Sequence, residues 1–163
     1  MSEKQKKMLG RIVATLILFV VLLILEKTGK FGKSYDIWEE REDIHTYSLA
    51  AIFSAFEAIL KMYEIVKPQY QENRLKLEQI AKANRRLDKK LRQIKEYILM
   101  NLYDNNQKTF VRNTQDNKMD ISLLGLVYPF KVFTPTEKKI ENTVERMNLT
   151  LRTYTGGYLR YEG

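Results

Sequence analysis

Cysteine is absent from the 163 residues, so neither a disulfide framework nor a thiolate metal site exists. The single histidine, His45, leaves a histidine-based zinc or iron site without enough ligands. No internal repeat of about 20–50 residues is visible, which removes the solenoid and propeller architectures. Alternation of apolar and polar residues is too weak anywhere to define a sheet. The hydrophobic share of 44% and charged share of 29% are those of a globular chain rather than a disordered one. The length suits one domain with a real core.

The net charge of +8 raises a nucleic-acid reading, and the location of the charge decides against it. Much of it sits in SEKQKK near the N-terminus and in NRLKLEQIAKANRRLDKKLRQIKEY. In the second stretch Leu75, Leu77, Ile80, Leu87, Leu91, Ile94 and Ile98 recur mostly at three- and four-residue steps, the mark of an amphipathic helix. Glu78 and Lys82 add a favourable i,i+4 pair. No aromatic residue interleaves with these cations before Tyr97, whereas single-stranded nucleic-acid binders need stacking rings. The pattern reads as a solvated helix face, and no nucleic-acid partner is expected.

Ile12 to Leu25 holds one polar residue, Thr15, and follows basic residues. As a helix it spans about 21 Å, short of a hydrocarbon core of about 30 Å. The expectation is a core helix packed on Tyr47–Val66 in a cytoplasmic chain, with a membrane anchor formed by residues 12–25 as the alternative. Tyr47–Val66 has the apolar density of a buried helix and stops at Lys67-Pro68. A longer helix follows over Gln69–Leu102, then an Asn- and Asp-rich irregular stretch up to Asp120. Asp120 is placed to cap the short apolar element ISLLGLVYPF. TPTE reads as a capping box, with Thr134 and Glu137 as reciprocal partners and Pro135 at the first helical position. It opens a helix over Pro135–Leu151 that ends before Thr155-Gly156-Gly157. The fold class is therefore all-α, with about four to five helices and irregular loops. The organisation is an N-terminal basic tail and apolar helix over 1–27 and a helical domain over 28–163.

The one tryptophan, Trp38, lies in SYDIWEEREDIHTYS, beside the densest patch of carboxylates in the chain. Read locally, Glu39 and Glu40 are acids in a charged helix start, and His45 is a structural hydrogen-bonding residue. Read as chemistry, an indole next to paired carboxyls is a sugar platform with a proton donor. Glycoside hydrolysis asks for two carboxyl groups, one of them protonated to donate to the leaving oxygen.

Three stretches in order favour the second reading. YDIWEER, MDISLLGLVYPF and GGYLRYEG resemble, in sequence and spacing, the C-terminal catalytic region of glucoamylase-like enzymes, glycoside hydrolase family 15. The resemblance covers residues 28–163 and implies part of an (α/α)6 toroid. It implies Glu39 as the general acid, with Trp38, Glu40 and Arg160 binding substrate and Arg160 nearer Glu40 than Glu39. It implies an α-glucan or oligosaccharide hydrolysed from its non-reducing end with inversion, and no metal or other cofactor. No match gives a general base; Asp36, Asp43, Asp120 and Glu162 remain without that role, so the chain alone is expected to be inactive. A partial ring would bare inner helices, which calls for a complementary chain completing the toroid or for self-association. The competing expectation is a non-enzymatic helical remnant or subunit, tethered or not by residues 12–25.

Overall fold

Apolar residues three and four positions apart decide where the long helices form and which side they bury. In helix α1 (Thr46–Val66) the buried side chains are Thr46, Leu49, Ala50, Phe53 and Phe56, which line one face. The computed structural model describes residues 31–163, and Ser34–Gly163 form one compact unit. The apolar run over residues 12–25, and the packing and anchoring expected of it, lie outside the described residues.

The start of α1 is fixed by tertiary bonds rather than a side-chain cap. His45 at the N-cap is extended and makes no capping bond. Thr46 instead donates its amide to the Arg112 carbonyl at 2.9 Å and its hydroxyl to the Val111 carbonyl. At the other end the chain does not simply stop at Pro68. It tightens into a 3-10 helix, Lys67–Tyr70, with the proline in its first positions. Helix α2 (Arg74–Asn101) then packs back against α1. Leu87, Ile94 and Ile98 are fully buried in it, whereas Leu75, on the same apolar stripe, is 67% exposed. Near the same turn Met62 and Ile65 of α1 are also exposed. Only the half of the helical hairpin away from that turn belongs to the core.

Two short ladders depart from the all-α expectation. β1 (Ser34–Tyr35) pairs antiparallel with β2 (Glu42–Asp43), and β3 (Tyr103–Asp104) with β4 (Thr109–Phe110). Each strand is two residues long, too short for an alternating pattern to register. In the second hairpin Asp104 accepts the amides of Asn106 and Gln107, a side-chain-stabilised turn. Those bonds, the Gln107 amide first, hold its carboxyl below the usual range.

A second 3-10 helix, Ile121–Leu126, packs on α1, and helix α3 (Lys138–Thr150) packs on β4. Half of the expected capping box is present. The Thr134 amide donates to Glu137 Oε1 at 2.9 Å, but the Thr134 carbonyl, not its hydroxyl, takes the Glu137 amide. The helix proper therefore starts after Glu137 rather than at Pro135. Thr143 joins α3 to β4, its hydroxyl accepting the Phe110 amide and donating to the Lys139 carbonyl. Phe110 sits at the centre, edge-on to Tyr103 at 5.1 Å and tilted against Phe133 at 4.9 Å. The described unit is thus a mostly helical small domain around Phe56, Ile94, Ile98, Leu102, Phe110, Leu126, Met147 and Leu151.

Candidate active site

The WEE stretch is not a helix start. It is the loop Asp36–Arg41 between β1 and β2. Asp36 organises it: its amide donates to the Arg41 carbonyl at 2.9 Å and its carbonyl accepts the Glu39 amide at 3.1 Å. Its Oδ1 accepts the amides of Trp38 at 3.2 Å and Glu40 at 2.8 Å. An aspartate accepting amides two and four residues on is an Asx-type turn. Glu39 is left exposed at the apex with φ 58, in the left-handed region that a non-glycine residue occupies at a cost of about 1–2 kcal/mol.

The next layer holds the indole. Trp38 Nε1 donates to Asp120 Oδ2 at 3.1 Å, while Asp120 Oδ1 accepts the Ser122 amide at 2.8 Å. One buried carboxylate therefore caps the second 3-10 helix and fixes the ring of Trp38. The guanidinium of Arg160 lies over that ring, 5.2 Å from its centre, within cation–π range. Arg160 arrives there because the C-terminal segment is laid on Asp120. Its carbonyl accepts the Ile121 amide at 2.8 Å, and Tyr161 forms a bridge pair with Asp120. Residues from opposite ends of the described chain thus meet around Asp120.

Glu40 points into the same cluster, and its partner is the residue after Arg160. The Tyr161 hydroxyl donates to Glu40 Oε2 at 2.6 Å. Arg41 Nη1 stands 3.8 Å from Glu40 and 3.9 Å from Asp36. The Tyr161 ring carries the guanidinium of Arg41 4.6 Å from its centre and that of Arg112 5.5 Å from it. The bond to Glu40 pushes the Tyr161 phenol above its ordinary range, with burial and the Glu40 charge adding to the rise and Arg41 opposing it. Neither Tyr161 nor Asp36 stands out in the sequence. Asp36 could have been found from the Asx-turn habit of an aspartate at a loop start.

The four carboxylates without a role are all engaged. Asp36 and Asp120 hold the loop and the indole, as described. Asp43 accepts the Thr114 hydroxyl and the Gln115 amide, and Glu162 accepts the Met119 amide. Beneath them Arg112 and Asp116 form a two-point pair, with Nη2–Oδ2 at 2.6 Å. Burial raises the Asp116 carboxyl, but the Arg112 bond and charge and the Lys118 amide outweigh it, so its pKa lies below the usual value. His45 is buried, with Nε2 3.0 Å from the Arg41 carbonyl, a structural contact. Among the described residues no group of three or more His, Cys, Asp or Glu is gathered to hold a metal ion. Nor is any helix among them long and apolar enough to cross a membrane. A polar cavity of about 450 Å³ lies along Tyr103, Asp104 and the Asn113–Asn117 loop. It shares no lining residue with Trp38, Glu39, Glu40 and Arg160.

The fold is similar to part of larger glycosidases. The chain is 24% identical over 133 residues to an uncharacterized glycosyl hydrolase of Methanocaldococcus jannaschii, covering 80% of this chain and 20% of that protein. Among solved structures, one glycosidase variant superposes with a TM-score of 0.63 at 20% identity, covering 84% of this chain and 33% of that one. Another, in complex with glucose, gives 0.62 at 21% identity over 80% of this chain and 31% of that one. No protein-family model matches. The sequence is thus distantly similar to a glycosyl hydrolase, and the fold recurs within solved glycosidases. The chain spans about a fifth of its curated relative and about a third of the solved ones.

Proposed function

We propose that this chain carries the sugar-binding and acid portion of a glucoamylase-like, inverting glycoside hydrolase site that acts on α-glucans from the non-reducing end. The observation that carries the reading is the gathering of Trp38, Glu40 and Arg160 around Asp120, from stretches more than a hundred residues apart in sequence. In this reading the Trp38 ring supplies the apolar platform for a glucose face. Arg160 and Glu40 hydrogen-bond its hydroxyls, and Glu39 donates the proton to the leaving oxygen. The exposed, left-handed placement of Glu39 supports the role, because such a backbone is retained where the side chain's position matters more than its strain. The domain spans 28–163, belongs to a partial (α/α)6 toroid and needs no cofactor. It works in the cytoplasm unless residues 12–25 anchor it to a membrane.

Inversion needs a second carboxylate, free to activate water, roughly 6.5–9.5 Å from the acid. Asp36, Asp43, Asp120 and Glu162 all accept bonds from protein donors, so none is offered as that base. The chain by itself therefore binds sugar without turning it over, and a complementary chain or self-association supplies the base. The engaged carboxylates equally support a second reading, a non-enzymatic helical subunit that retains only the sugar contacts. The test is glucose release from maltooligosaccharides by the purified chain. None above the buffer rate is expected, since general acid–base assistance is worth roughly 10²–10⁴-fold. Robust turnover that disappears in Glu39→Gln would overturn the missing-base argument.

A further inference from the structure

We propose that Tyr161 is a positioning residue of this site: held by two guanidinium groups, its hydroxyl fixes the Glu40 carboxylate in the orientation that meets a sugar hydroxyl. The inference deepens the sugar-site reading and rests on it.

Three observations converge on Tyr161. Its hydroxyl makes the 2.6 Å bond to Glu40, the only one of the paired acids so held among the described residues. Its ring faces Arg41 at 4.6 Å and Arg112 at 5.5 Å, which sets its position from two elements at once. Its backbone pairs with Asp120, the same residue that holds Trp38 through Oδ2. The ring platform and the acid are thus referenced to one residue, Asp120. A charge-assisted bond is short and directional, so it can hold a carboxylate at the tip of an otherwise exposed loop. It also leaves the second oxygen, Oε1, for a ligand, since each carboxylate oxygen accepts independently. Without the phenol, Glu40 keeps only Arg41 at 3.8 Å, a looser contact.

Two measurements on the full chain test this. The first is the phenol titration followed by NMR of ring-labelled tyrosine, with Tyr161 identified by its loss in Tyr161→Phe. Tyr161 should ionise above the ordinary range in the parent and at lower pH in Glu40→Gln. A titration that Glu40→Gln leaves unmoved overturns the pairing. The second is maltose binding followed by the fluorescence of Trp38, the single tryptophan. Tyr161→Phe keeps the ring between Arg41 and Arg112, so folding is retained, and affinity should fall about tenfold for the lost charge-assisted bond. Unchanged affinity overturns the positioning role. A parent chain that shows the coupled titration but no maltose response upholds the Tyr161–Glu40 pairing and overturns the sugar-site reading instead.

Discussion

Replacing Asp120 separates its two tasks, because asparagine keeps one acceptor oxygen where aspartate has two. In Asp120→Ala the Ser122 amide loses its cap and the Trp38 indole N–H loses its acceptor, bonds of 2.8 and 3.1 Å. A lost N-cap costs about 1 kcal/mol and a lost part-buried hydrogen bond about 1 kcal/mol more, so the expected destabilisation is about 2 kcal/mol. For a chain of this size that lowers the melting temperature by about 4–8 °C. In Asp120→Asn the amide oxygen can stay on Ser122, but the NH2 group then faces the indole N–H, donor against donor. About half the loss is expected, together with release of Trp38. Urea unfolding gives the first number, and the indole N–H resonance of Trp38 reports the second. If Asp120→Ala costs less than about 0.5 kcal/mol, or Asp120→Asn leaves the indole resonance in place, the shared anchor does not exist.

Glu39→Gly should be neutral or stabilising by up to about 1 kcal/mol in urea, because glycine adopts φ 58 without penalty and the side chain is exposed. A clear loss of stability would show that the Glu39 side chain supports the fold. Asp116 should make stability acid-sensitive. Its carboxyl titrates below the ordinary 3.8, so its contribution is full above that value and is lost as pH falls through the lowered one. Asp116→Asn should therefore be less stable than the parent near neutrality and converge with it in acid. A gap that stays constant down to about pH 2 would refute the Arg112–Asp116 account.

The helices were legible where an apolar stripe continues without interruption. Val66 closes α1 as the sequence implies, and α1 begins one residue before Tyr47. α2 starts at Arg74 rather than Gln69 because Pro68 belongs to a separate 3-10 turn, a difference of hydrogen-bond register that composition does not encode. α3 starts later than Pro135 for a related reason: Thr134 and Glu137 do bond, but as a turn preceding the helix. The site was legible through its rare residues. A lone tryptophan beside two glutamates drew attention to the loop, and the three ordered stretches named Arg160. What stayed hidden was geometry between neighbours. Nothing in the order Arg160-Tyr161 tells which side chain lies over the indole and which reaches Glu40. Asp36 and Asp120 hold the loop by accepting amides and an indole N–H, contacts that exist only once the chain ends have met.

The central claim is that Trp38, Glu39, Glu40 and Arg160 serve one sugar site, and an amide-resolved NMR titration with maltose tests it most directly. The indole N–H of Trp38 and the amides of Trp38–Arg41, Ile121, Arg160 and Tyr161 should shift together along a single saturable curve. Shifts confined to the Asn113–Asn117 cavity, or no saturable shift at all, would contradict it.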